Sequence, residues 1–340
     1  MLKSRSMIIA SLLLAASMAM GAMVAAADGH EKVFPERGDP FVGDYVGRWL
    51  NDVTIDPDIA AQVIALGDGN YRVRLVPKLD MRCPPIEIFE VQARRGRIAF
   101  SGDLTRGEIR NGNIIGSDRD HQKQFEMKRV VRLSPTLGAE PPEGATVLFD
   151  GSNLDAWDGA EGWVQLDDGV VMATPKGGYL TTKQNFTDLK LHIEFRNSFM
   201  PSARGQQRSN SGVFLQDWYE VQVLDSYGLE GYYDECGGLY KLAAPHVNAC
   251  SPPLQWQSFD IEYRAPRFDN EGELSEYGRM TVLHNGVLIH DNQELLWITA
   301  YTEKERLGPA PSEPGPVKLQ AHGDYVQYRN IWLVDLAEGK

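Results

Sequence analysis

The residues of this chain that could do chemistry fall on short alternating runs. Side chains two positions apart on a strand share a face, so Leu191, Ile193 and Phe195 oppose His192, Glu194 and Arg196. From Tyr219 to Leu224 the apolar Tyr219, Val221 and Val223 oppose Glu220 and Gln222. From Val317 to His322 the apolar Val317, Leu319 and Ala321 oppose Lys318, Gln320 and His322. Each run therefore sets a polar group behind a core face. The solvated outer face of a sandwich would do the same, but such faces usually carry Lys, Glu and Thr, whereas Gln, Glu and His recur here. The runs are flanked by hydroxyl and amide clusters, Asn210-Ser211-Gly212, Asp225-Ser226-Tyr227-Gly228 and His322-Gly323-Asp324, with Trp218, Tyr227, Tyr240 and Trp256 nearby. Such groups suit sugar hydroxyls and the apolar faces of pyranose rings.

The elements that must position these groups are strands. Hydrophobic content of 42% over 340 residues is enough for one large domain or two modest ones. Gly 33 and Pro 19 are spread as turn punctuation, and helical periodicity is nearly absent, which points to an all-β protein. Residues 39–133 alternate in short runs broken at Gly67-Asp68-Gly69, Arg95-Gly96 and Asn111-Gly112, a small antiparallel β domain without a catalytic cluster. Residues 134–144 hold three prolines and no apolar period and read as a linker across which few contacts are expected. From 145 to 336 at least eight longer strands predict a sandwich, of which the jelly roll is the commonest closed form at this size. Glu294 to Tyr301 is the one stretch that could make a turn or two of helix.

Charge and cysteines bound the partners and the compartment. Asp+Glu 47 against Lys+Arg 34, with a net charge of -13 and no basic run, argues against nucleic acid and anionic membrane as partners. Lys3 and Arg5, an apolar stretch from Met7 to Met20 and the small residues Ala25-Ala26-Ala27 read as a signal peptide over residues 1–27, so the mature protein is expected in the periplasm or outside the cell, with no membrane span. In that oxidising setting Cys236 and Cys250, which bracket a short Gly- and Pro-containing loop, are expected to form a disulfide, and Cys83 is left over.

Several ordered motifs carry a family resemblance: Phe149-Asp150-Gly151 with Leu154 and Trp157, Asn210 to Gln216, Tyr219 to Asp225, Cys236 to Tyr240, Asn248-Ala249-Cys250, Trp256 to Ile261, His284 to Val287, and Leu319 to Gly323 with Tyr328 to Trp332. With them, residues 145–336 resemble the 3-keto-disaccharide hydrolase family, also called 3-keto-glucoside 1,2-lyase/3-keto-2-hydroxyglucal hydratase. The resemblance implies a concanavalin-like jelly roll and a 3-keto sugar or oligosaccharide as substrate. A 3-keto sugar has an acidified C2 proton. Its removal gives an enediolate that expels the C1 substituent, and water added to the resulting 3-keto-2-hydroxyglucal completes a net hydrolysis. That chemistry needs a base near C2, a donor or cation at the C3 oxygen and an acid near the glycosidic oxygen. On the faces set by alternation, His322 is the expected base or acid and Glu220 its catalytic partner. Gln222, Gln320, Glu194, Asp225 and Asn210 are expected to bind hydroxyls, and Lys318 or Arg196 the oxyanion. No cofactor is expected, although a carboxylate and His cluster could hold a divalent cation that polarises the ketone. Two other functions fit the same face: a non-catalytic carbohydrate-binding sandwich, and a carboxylate-pair glycosidase using Glu194 and Glu220.

Overall fold

Period-two alternation becomes strand nearly throughout the computed structural model, which describes residues 31–50, 57–79, 81–299 and 308–336. The leader expected over residues 1–27 lies outside the described residues. Met1–Arg37 and Gly38–Lys340 are two compact units. Of the first, residues 31–37 are described and carry turns and bends. No described helix is long and apolar enough to cross a membrane.

The second unit is all-β: a concanavalin-like jelly-roll sandwich preceded by a small antiparallel sheet. Eight strands from Gly43–Trp49 to Gln124–Val130 form that first sheet as a meander, with Gly43–Trp49 paired to both Asp58–Gly67 and Gln124–Val130. Asp68-Gly69 and Asn111-Gly112 close two of its hairpins with φ of 53° and 72°, and 50° and 72°. Both central residues at positive φ are what a two-residue turn between right-twisted strands demands. Tyr45, Val63, Val73, Phe100, Ile114 and Phe125 are buried in the core.

The sandwich stacks a five-stranded sheet on an eight-stranded one. The smaller runs in the order Trp157–Asp158, Tyr179–Thr182, Lys318–Gln320, Ser211–Leu215, Tyr219–Val223. The larger runs Val164–Leu166, Val170–Ala173, Val326–Asp335, Leu189–Asn197, Trp256–Arg264, Gly278–His284, Val287–Leu295, with Thr146–Phe149 also paired to Val326–Asp335. Leu191, Ile193, Phe195, Phe259 and Tyr263 of the larger sheet meet Val213, Tyr219, Val221 and Leu319 of the smaller in a buried core. The Tyr219 and Tyr263 rings lie 5.9 Å apart across it. Among the described residues the one helical element is the 3-10 turn Gly205–Gln207. Glu294 and Leu295, expected to start a helix, instead end a strand, because Leu295 is buried and paired with Gly278.

The Pro-rich strip 134–144 is not a loose tether. It lies across the outward face of the larger sheet, where Ser134 Oγ meets Ser258 Oγ at 2.6 Å and Thr136 Oγ1 donates to Asp260 at 2.7 Å. The Gly138 N–H donates to Glu194 at 2.5 Å, and the Ala139 carbonyl accepts from Asn330 and the Trp332 indole, each at 3.1 Å. The first sheet also touches the sandwich directly: Tyr227 Oη donates to Asp44 at 2.7 Å, Arg204 to the Leu66 carbonyl at 2.7 Å, and Arg82 to the Pro245 carbonyl at 3.0 Å. The expectation of few contacts therefore fails. A strip without apolar period still has backbone groups and hydroxyls to pair, and the sheet offers partners for them.

Candidate active site

Because Val213, Tyr219, Val221 and Leu319 point into the sandwich, their neighbours share the outward face of the smaller sheet. Phe214 is paired with both Glu220 and Lys318, and Lys318 with Thr181, so Thr181, Lys318, Phe214 and Glu220 form one row across four strands. By the same register Tyr179, Gln320, Gly212 and Gln222 form the next. Gln320 Nε2 donates to Tyr179 Oη at 3.3 Å, and the Lys318 ammonium pairs with Asp217 and lies 5.3 Å from the centre of the Tyr179 ring.

Glu220 is the chemically distinctive member. It is 3% exposed, and among the described residues its carboxyl has no hydrogen-bond or ion-pair partner, burial being the sole cause of its pKa shift. Burial pushes its pKa up to about 8, so at neutral pH it is a neutral acid able to donate a proton. Its carboxyl lies over Gly212, where a Cβ would come within 2.3 Å of Glu220 Oε1. A side chain at 212 would displace the acid.

Beside it stand two amides fixed by a third. Gln206 Oε1 accepts from Gln222 Nε2 at 3.0 Å and from Asn210 Nδ2 at 3.1 Å. Gln206 thus orients both amides, its backbone carbonyl also accepting from Asn210 Nδ2 at 2.8 Å, and among the described residues both carbonyl oxygens, Gln222 Oε1 and Asn210 Oδ1, are buried and unpaired. An unpaired buried acceptor is costly, and a ligand hydroxyl is the natural partner for it. The Asn210 N–H donates to Asp324 at 2.9 Å, and burial raises the pKa of Asp324. His322 itself is exposed. Its strand and that of Glu220 are two apart, about 10 Å at ordinary strand spacing, and no hydrogen bond or ion pair joins the two side chains. His322 lies two residues past the end of Lys318–Gln320, beyond the row that holds Lys318 and Glu220.

Two expected members are elsewhere. Asp225 is buried and turned to Arg208, with Oδ2 accepting from Nε at 2.6 Å, so it holds a loop and is not available to bind hydroxyls. Glu194 lies on the outward face of the opposite, larger sheet. There it is fully buried under the Pro-rich strip, 2.7 Å from Arg329. Burial alone would raise its pKa, but hydrogen bonds from His192, Asn330, the Gly138 N–H and Arg329 bring it to about 2. Burial likewise works against a charged His192, and hydrogen bonds to Asp260 and Glu194 with their charges outweigh it and raise the pKa. Glu194 is thus a permanent anion in a structural cluster. With the sandwich between them, Glu194 and Glu220 cannot flank one glycosidic bond, and the carboxylate-pair glycosidase loses its second carboxylate.

Cys236 and Cys250, expected to be bridged, are buried free thiols; Cys250 Sγ donates to the Leu224 carbonyl at 3.6 Å and the Ser251 carbonyl at 3.5 Å, and burial with the neighbouring thiol pushes its pKa well above the ordinary range. Among the described residues no three His, Cys, Asp or Glu side chains gather as metal ligands would.

A model of the 3-keto-alpha-glucoside-1,2-lyase-like domain matches residues 144–334. The chain belongs to that family. Membership makes it a carbohydrate-active enzyme of hydrolase or lyase type. A solved structure from Parabacteroides distasonis ATCC 8503, provisionally described as a glycosyl hydrolase, is 37% identical, covers 57% of this chain and 85% of its own, and superposes with a TM-score of 0.53. Another from the same organism, described in the same way, is 23% identical over 56% of this chain and 99% of its own, with a TM-score of 0.41. No match was found among curated proteins. Within the lyase-like domain, Gln206 is the member that strand alternation missed. It sits on a loop turn, where no period reports direction, and only the run Gln206-Gln207 ahead of Asn210 hinted at an amide cluster.

Proposed function

We propose that this is an exported enzyme that cleaves 3-keto-glycosides by C2 deprotonation, β-elimination and hydration. The observation that carries the proposal is the buried Glu220 carboxyl, raised by burial to a pKa of about 8 and without a side-chain partner among the described residues, on the same sheet face as the unpaired Gln222 Oε1. In the first step His322, at the loop edge, takes the C2 proton, and the electron pair moves onto the C3 carbonyl oxygen as an enediolate, with Lys318 as the nearest cation of the row. In the second, the enediolate collapses, the C1–O bond breaks, and the leaving oxygen takes the Glu220 proton. Water then adds across the C1–C2 double bond, hydroxyl to C1 and proton to C2, and the two side chains return to their starting states. Asn210 Oδ1 and Gln222 Oε1 accept from substrate hydroxyls, and Gln320 supplies a further amide.

The test is incubation of methyl 3-keto-α-glucoside and its unoxidised parent in heavy water. Deuterium at C2 of the released sugar, with the parent untouched, is the expected result. Cleavage without C2 exchange, or equal rates on the parent, defeats the mechanism. Binding without release returns the sandwich to a carbohydrate-binding role.

A further inference from the structure

Gln206 orients the two unpaired amides; its own side-chain amide donates to the Asp234 carbonyl of the sandwich at 2.6 Å, and the two ends of the turn that carries it are tied to the first sheet. The 3-10 turn Gly205–Gln207 is flanked by Arg204 and Arg208. Arg208 Nε is bound by Asp225 at 2.6 Å, and the Asp225 N–H returns to the Arg208 carbonyl at 3.1 Å. Asp225 Oδ1 accepts the Tyr227 N–H at 3.3 Å, and Tyr227 Oη donates to Asp44 of the first sheet at 2.7 Å. Asp44 is 2% exposed, and its other oxygen accepts from Arg132 at 2.8 Å. On the other side of the turn, the exposed Arg204 donates to the Leu66 carbonyl of the same sheet. Close packing reinforces both ties: a Cβ at Gly228 would come within 2.6 Å of Ile64, and one at Gly67 within 2.4 Å of Ser202. No apolar core of the sandwich holds this turn, since none of its three residues is buried.

We propose that the N-terminal sheet sets the geometry of the substrate-binding amides, with Tyr227 and Arg204 as positioning residues that clamp the Gln206 turn from its two ends. The sheet thereby becomes part of the site without contributing a group that touches substrate. The proposal rests on the reading that Asn210 and Gln222 bind the sugar, and it predicts an effect on binding rather than on chemistry. Loss of orientation removes interactions made equally in ground and transition states, which raises KM and leaves kcat in place.

The experiment uses the full chain and methyl 3-keto-α-glucoside. Tyr227→Phe deletes one hydroxyl and leaves Asp44 its Arg132 partner; Arg204→Ala cuts the second tie at an exposed position where folding is not at stake. Each is expected to raise KM about 5- to 10-fold with kcat within about twofold, the scale of a single coupling through a hydrogen-bonded network. Asp44→Asn, which keeps an acceptor for Tyr227, is expected to retain the native KM. The side-chain amide NMR signals of Asn210 and Gln222 are expected to shift in the first two variants and not in the third. Native KM and unshifted amide signals in Arg204→Ala overturn the proposal, whatever becomes of Tyr227→Phe. If the wild-type chain leaves the keto-glucoside uncleaved, the proposed reaction fails, and the amide signals alone still decide whether the first sheet orients the site.

Discussion

Replacing Glu220 by Gln removes one titration while keeping shape and burial, and the structure sets the size of the effect. The carboxyl titrates near 4.5 in the unfolded chain and at about 8 in the folded one. Below pH 4.5 both states hold the proton and the penalty for burying a charge is absent. Between those values the unfolded chain holds fewer protons than the folded one, so stability falls as pH rises, and above pH 8 the full penalty of about 5 kcal/mol applies. Wild type and Glu220→Gln should therefore differ little in their pH 4 melting temperatures relative to each other, then diverge by on the order of 10 °C by pH 9, with the variant the more stable. Thermal melts of both proteins across pH 4 to 9 measure the divergence directly, because every other titrating group cancels between them. Parallel curves would refute the assignment of a buried, unpaired carboxyl. The same substitution should lower turnover by roughly 10²- to 10⁴-fold at neutral pH, and wild-type turnover should decline above pH 8 as the acid ionises.

Glu194→Ala should behave in the opposite way. It strips four partners from the cluster under the strip and should cost about 3 kcal/mol, read as a lowered melting temperature with kcat unchanged. For the cysteines, all of which are free thiols in the structure, a thiol count on the denatured, unreduced protein should return three; a count of one, Cys83, would restore the Cys236–Cys250 bridge. Mass spectrometry of the exported protein should place its first residue near Asp28, and an intact Met1 would defeat the proposed leader.

Much of the fold was legible because a half-buried strand writes its own direction. Glycine turns at positive φ, such as Asn285-Gly286 with 53° and 76°, marked the hairpins, and alternation assigned the inward face of Leu191 to Phe195 and of Tyr219 to Val223. Alternation cannot say which of two sheets a strand joins. Glu194 and Glu220 each lie opposite a core face, and only pairing, Leu189–Asn197 with Trp256–Arg264 against Tyr219–Val223 with Ser211–Leu215, separates them by the thickness of the sandwich. Asp225 was missed as an ion-pair partner because Arg208 approaches from a loop. The strip was read as a linker because proline and the lack of a period report what it is not, a strand or helix, and say nothing of the hydroxyls and carbonyls by which it docks.

The position of one segment has a kinetic consequence. Val326–Asp335 lies inside the larger sheet between Val170–Ala173 and Leu189–Asn197, and Lys318–Gln320 lies inside the smaller between Tyr179–Thr182 and Ser211–Leu215. Both sheets are therefore split until residues 318–335 have been synthesised, and neither half can bury its inner face before then. Pairings of such long sequence separation form slowly and leave strand edges open meanwhile. The proposed export would require a chain that is still unfolded, and this topology supplies that delay. It also makes the sandwich intolerant of early termination: a ribosome that stops before residue 318 releases two open sheets rather than a shortened enzyme, a substrate for proteases and for aggregation.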